Sequence, residues 1–185
     1  MSIILDRFKR IRLWRLPFKV VSLVLSAALL ACITGCSINY SLNGASIPPE
    51  AKTVSVQYFD NVASLAPPTL GQTFTEALRD KLIQQSNLKL ISSGGDLAFE
   101  GKVVGYTTAP VAIQSTDQAA LNRLQITVSV KYVCAFDEKK NFEQNFSRFY
   151  DYPSSQTLAE VESELIQDIN EQLVQDIFNR ALNDW

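Results

Sequence analysis

The strongest constraint in this chain is an alternation from Leu124 to Phe136, in which Leu124, Ile126, Val128, Val130, Tyr132, Cys134 and Phe136 are separated by less apolar neighbours. A period of two places all seven on one face of an extended strand. A face that apolar requires neighbouring strands and a covering layer. The neighbours can be read. Asp137 to Asn141 is a polar turn, and Phe142 to Tyr150 returns with Phe142, Phe146 and Tyr150 alternating with Glu143, Asn145 and Ser147, which predicts a hairpin. Upstream, Thr53 to Phe59 alternates Val54, Val56 and Tyr58 with Thr53, Ser55 and Gln57. Leu88 to Ile91 is a short apolar segment, and the turn Ser92 to Gly95 leads into a further strand, Leu97 to Thr108. Gly101 and Gly105 weaken that strand and suggest a bulge or a close backbone neighbour. Pro110 to Asn122 reads as irregular.

Two amphipathic helices supply the cover. After Pro67 and Pro68, Thr69 and Gln72 have capping-box spacing, and Leu70, Phe74, Ala77, Leu78 and Leu82 form one stripe. Thr157 and Glu160 open a second helix toward Trp185, with Val161, Leu165, Ile169, Leu173, Ile177 and Ala181 every four residues. Glu160, Glu162 and Glu164 near its start and Arg180 near its end match the helix macrodipole. The expected fold class is α+β, in the order β-α-β-β-β-α. Its two helices pack on one face of a mostly antiparallel or mixed four-stranded sheet.

The N-terminus sets the compartment. Arg7, Lys9, Arg10, Arg12, Arg15 and Lys19 precede an apolar run, Val20 to Ile33, that is shorter than the ~20 residues of a membrane-spanning helix. Ile33, Thr34, Gly35 and Cys36 then resemble the bacterial lipobox. The expected organisation is a signal peptide over 1–35 removed behind Gly35, a lipidated tether over 36–52 and a folded domain over 53–185. Lipoprotein chemistry implies diacylglycerol on the Cys36 thiol and a third acyl chain on its amine. Two chains already hold a protein on a bilayer at ~0.8 kcal/mol per buried methylene. Ser37 stands where an aspartate retains lipoproteins in the inner membrane of enteric bacteria, and Ser37, Ile38 and Asn39 lack the acidic cluster of surface export. The expected address is the outer membrane, facing the periplasm.

Losing the signal removes six of 17 basic and one of 19 acidic residues, so the remaining domain has a net charge of −7. A domain of that charge without a basic block is a poor nucleic-acid binder. Only Cys134 keeps a free thiol, on the apolar side of its strand, where it is assigned to packing. The chain has no histidine, which removes Ser-His-Asp and Cys-His catalysis and most zinc sites. Gly94 and Gly95 lack the companions of a phosphate loop. Asp137 with Glu138, and Glu162 with Glu164, lack convergent spacing and read as solvated charge. No enzyme, cofactor or metal site is expected.

A binding role remains. Lys102, Lys131 and Arg148 alternate with apolar residues, so they are expected on the sheet face the helices leave open, where they would meet an anionic ligand. Arg123 is placed to reach a phosphate at the mouth of the preceding loop, or to pair with an acid. Tyr106, Phe149 and Tyr152 pack in the core or against a partner.

Gly44, Ala45, Ser46, Ile47, Pro48 and Pro49, then Ala119 to Leu124, Ser147 to Phe149 and Ile169 to Phe178, give the chain an overall pattern that resembles the LptE family of lipopolysaccharide-assembly lipoproteins, in its Bacteroidetes form. The resemblance spans nearly all of the mature chain and carries no catalytic signature. It implies a non-enzymatic lipoprotein that sits inside the large β-barrel LptD, helps that barrel fold and assists delivery of lipopolysaccharide to the outer leaflet. An adaptor lipoprotein tethering a different envelope complex is the rival reading, and a carboxylate-only hydrolase the third.

Overall fold

A computed structural model of the protein describes residues 47–111 and 120–183. The expected signal segment over 1–35, Cys36 and most of the loop following Pro110 lie outside the described residues. In chain order the elements are β1 (Thr53–Val56), β2 (Asp60–Asn61), α1 (Leu70–Gln85), β3 (Lys89–Ile91), β4 (Leu97–Val111), β5 (Leu121–Cys134), a 3-10 turn (Glu138–Lys140), β6 (Phe142–Pro153) and α2 (Leu158–Leu182). The sheet order is β3-β1-β4-β5-β6, with β2 continuing the line of β1 along β4. β1 runs parallel to β3 and β4, whereas β4, β5 and β6 are antiparallel. The α+β class and the order of the long elements are as expected. The strand count differs, because β2 and β3 are too short to show a period.

β5 buries Leu124, Ile126, Val128, Val130, Tyr132 and Cys134 under the helices, as its alternation requires. Phe136 departs from the expectation: β5 ends at Cys134, and Phe136 lies past it, 49% exposed. The pattern of apolar residues outlasts the ladder that gives it meaning. The helical stripes are buried as read, with Leu70, Phe74, Leu78 and Leu82 from α1 and Leu165, Ile169, Leu173 and Ile177 from α2.

Both glycine readings hold in β4. A Cβ on Gly101 would come within 2.1 Å of the Ser129 carbonyl oxygen and 2.5 Å of the Phe59 ring, so the bare backbone makes room for both. Near Gly105 the register slips: Val103 pairs with Val128 but Gly105 pairs with Thr127, leaving Val104 as the extra residue of a bulge. The slip reverses parity. Leu97, Phe99 and Val103 face the core before it and Tyr106 after it.

β4 also runs further than expected, to Val111, with Pro110 paired to Asn122. Proline is tolerated because β1 and β2 flank β4 only as far as Val103, so beyond that point its second side is an edge needing no N–H. The capping box at Thr69 does not form. Thr69 has helical dihedrals (φ −79°, ψ −11°) in a turn closed by Leu70 N–H to the Pro67 carbonyl, and Gln72 bonds Glu76 instead. At Thr157 the backbone is extended (ψ 148°) and Glu160 accepts from its N–H at 2.8 Å, completing the expected box.

Candidate functional site: the open face of the sheet

Side chains paired across an antiparallel ladder share a face, so the register sorts the candidate residues. Glu100, Lys131 and Glu143 form one cross-strand row, Lys102, Ser129 and Asn145 the next, and Arg123 with Asp151 a row near the far end. These rows carry the parity opposite to the buried residues of β5 and form the open face. Between them Gln125 donates to Ser147 Oγ at 2.7 Å, and the Thr127 and Ser147 hydroxyls lie 3.0 Å apart.

Lys102, Arg123 and Lys131 thus lie on the open face, and Arg148 does not. Arg148 pairs with Ile126 and shares parity with Phe146, which turns it to the covered side at the sheet edge. There its guanidinium grips Asp176 of α2 at 2.5 and 2.7 Å. The sequence holds this signal, since Arg148 stands an even number of residues from Phe142, Phe146 and Tyr150. The four cations are not brought together as one cluster.

The open-face cations are largely balanced within the fold. Arg123 makes two bonds to Asp151, at 2.7 and 2.8 Å, and its guanidinium lies 3.6 Å from the centre of the Phe149 ring. The hydrogen bond from Arg123 holds the Asp151 carboxyl below its ordinary range, although partial burial opposes this. Lys131 lies 3.6 Å from Glu100, whose other oxygen accepts from Gln57. Lys102 has no ion pair among the described residues.

Of the candidate aromatics, Tyr106 and Tyr152 are core residues, and Phe149 stays 46% exposed beneath Arg123. Glu162 is not the solvated charge expected of it: it accepts a 2.5 Å bond from the Tyr106 hydroxyl. Burial, then that bond, pushes the Tyr106 phenol well above its usual range. Cys134 is buried, as assigned.

Two features escape the sequence reading. Asp96 accepts from the Lys52 and Thr53 N–H groups at 2.9 Å each and from the Thr53 hydroxyl at 2.8 Å, clamping the start of β1 to β4. A groove of about 410 Å³ lies between the helices, lined in part by Thr73, Glu162, Gln167 and buried Asn170, whose Oδ1 has no hydrogen-bond partner. Neither has a local motif, because each depends on residues far apart in the chain. Among the described residues no three His, Cys, Asp or Glu side chains are grouped to hold a metal ion, and no helix is long and apolar enough to cross a membrane.

Comparison with known proteins decides the family. The sequence profile of LptE, described as lipopolysaccharide-assembly, matches residues 51–181. The chain belongs to the LptE family. That family is non-enzymatic, and it gives this chain a coarse role as an envelope protein of lipopolysaccharide assembly. No curated protein matches the sequence. Among solved structures, a minor lipoprotein from Acinetobacter baumannii is 15% identical at a TM-score of 0.48, covering 74% of this chain and 97% of its own. An uncharacterized lipoprotein B from Nitrosomonas europaea is 16% identical at 0.42, covering 76% and 88%. The rare lipoprotein B from Shewanella oneidensis is 13% identical at 0.39, covering 68% and 89%. The family assignment stands on the match over residues 51–181.

Proposed function

We propose that this LptE-family protein is an outer-membrane lipoprotein, cleaved behind Gly35 and acylated on Cys36, that faces the periplasm and plugs an LptD-like β-barrel, assisting its assembly and its delivery of lipopolysaccharide. The observation that carries the reading is the open sheet face, which presents Gln125, Thr127, Ser129, Asn145 and Ser147 between ion pairs already closed within the domain. The lumen of a large membrane barrel is polar, so the face a plug turns to it is expected to be polar too, with its own charges paired. An acidic domain whose face cations are balanced suits a protein-lined lumen better than a dense phosphate-binding patch.

Direct contact with lipopolysaccharide centres on Lys102, with Arg123 and Lys131 as cations that would exchange a carboxylate for a phosphate. Arg148 drops to a supporting position, because Asp176 and the covered side of the sheet hold it. Affinity purification from detergent-solubilised outer membranes tests the reading. Recovery of a barrel of LptD size is expected, while consistent recovery of some other envelope complex would instead establish the adaptor role. For the lipid contact, Lys102→Glu with Lys131→Glu is expected to weaken lipopolysaccharide binding in a salt-dependent way. Unchanged affinity removes both residues.

A further inference from the structure

The tether enters the domain beside an aromatic residue that the core does not use. Ile47 packs against the core, Pro48 accepts from the Ala51 N–H at 2.9 Å, and Ile47, Pro48 and Pro49 share a shallow cleft with Phe136. Phe136 opens the β5–β6 connection and is half-exposed. The starts of β1, β3, β4 and β6 and the end of β5 meet at this end of the sheet, as their registers require. The exposed side chains of Lys52, Lys89 and Lys139 therefore surround the same end. At the opposite end the first turns of α2 carry Glu160, Glu162 and Glu164.

We propose that this end of the domain docks on the phospholipid surface to which Cys36 is anchored, with Phe136 inserted at the headgroup level as a second, non-covalent attachment. The inference rests on acylation of Cys36 and not on the barrel partnership, and it describes the lipoprotein on the bilayer outside a barrel lumen. Eleven steps separate Cys36 from Ile47, and an extended chain of that length spans at most about 40 Å. The tether thus holds this end near the bilayer at high local concentration, so an interaction too weak to recruit a free protein is sufficient to orient a tethered one. An aromatic ring with a lysine three residues away is a fitting interfacial anchor. Glu50, Asp137 and Glu138 offset the charge of Lys52, Lys89 and Lys139, and Glu50 and Asp137 line the cleft itself, so insertion of the ring and not electrostatics carries the attachment. The more exposed apolar residue Leu65, at 75%, lies in the β2–α1 connection away from the tether, and it is the natural control.

The test uses the lipidated protein made with its own signal, in a Trp185→Phe background, reconstituted into phosphatidylethanolamine–phosphatidylglycerol vesicles with brominated acyl chains. The Phe136→Trp reporter is expected to show blue-shifted emission and loss of intensity in the brominated vesicles, and the Leu65→Trp reporter neither. Trypsin cleavage after Lys139 in the protein with its native Phe136 is expected to slow in vesicles relative to detergent. If the protein floats with vesicles but the Phe136→Trp reporter is unquenched, or if the Leu65→Trp reporter is quenched as much or more, the docking is wrong while the anchor stands. If the protein does not float and mass spectrometry finds Cys36 unmodified, the anchor and the docking fall together.

Discussion

Gly101 shows how one missing atom shapes the centre of this fold. Any larger side chain there meets the Ser129 carbonyl oxygen and the buried Phe59 ring at once, and neither is free to move. Gly101→Ala is expected to destabilise the domain by about 1–3 kcal/mol, as overpacking a core does, measured by chemical denaturation. Asp96 carries a pH signature. Hydrogen bonds from the Lys52 N–H, then from the Thr53 hydroxyl and N–H, hold its carboxyl below the usual carboxylate range. A lowered folded pKa adds stability that is fully present above the unfolded pKa and is lost as pH falls through the folded value. Asp96→Asn is therefore expected to be less stable at neutral pH and to lose less on acidification below pH ~4, read as a flatter stability profile in acid denaturation. Sequence makes Gly101 legible as an anomaly inside a strand but gives no sign of its neighbours. Asp96 is invisible there, since its donors lie over forty residues away.

At the scale of elements, legibility follows length. The six buried alternations of β5 and the four-residue stripe of α2 are plain because many residues repeat one signal. β2 and β3 have two and three residues and repeat nothing. The helix starts separate local chemistry from context. Both Thr69 and Thr157 have an amide or carboxylate three residues on, but the Pro67–Pro68 turn forces Thr69 into helical dihedrals that bar the reciprocal bond. Glu160→Ala is accordingly expected to lower thermal stability, and Gln72→Ala to leave it nearly unchanged, with the two melting temperatures read side by side. Leu173→Ala, in the fully buried stripe of α2, is expected to cost about 2–5 kcal/mol in denaturant unfolding. Sequence reading misplaces Arg148 when its charge is given more weight than its parity, and in the fold parity prevails.

For the whole molecule, the family and its architecture follow from a pattern spread over most of the chain, whereas the binding site does not. Which cations remain available depends on ion pairs between strands and between sheet and helix, and no linear spacing encodes these. The proposed lipobox, by contrast, is a local reading that rests on four adjacent residues, Ile33 to Cys36. Cys36→Ser is expected to shift the protein from the membrane fraction to the soluble periplasmic fraction, followed by fractionation and immunoblotting; persistence in the outer membrane would show a different attachment.

The bulge at Val104 acts as a hinge of register for the longest hairpin in the domain. If the ladder ran on without a bulge while Val104 stayed in the chain, a uniform two-residue beat along β4 could not serve both halves: either Leu97, Phe99 and Val103 would turn to water while Tyr106 stayed inside, or the reverse. Deleting Val104 would instead bring all four onto one beat, with Gly105 following Val103 just as Thr127 precedes Val128 on the opposite strand. A chain shortened at this point could close the hairpin as a plain ladder and keep both halves of its interior.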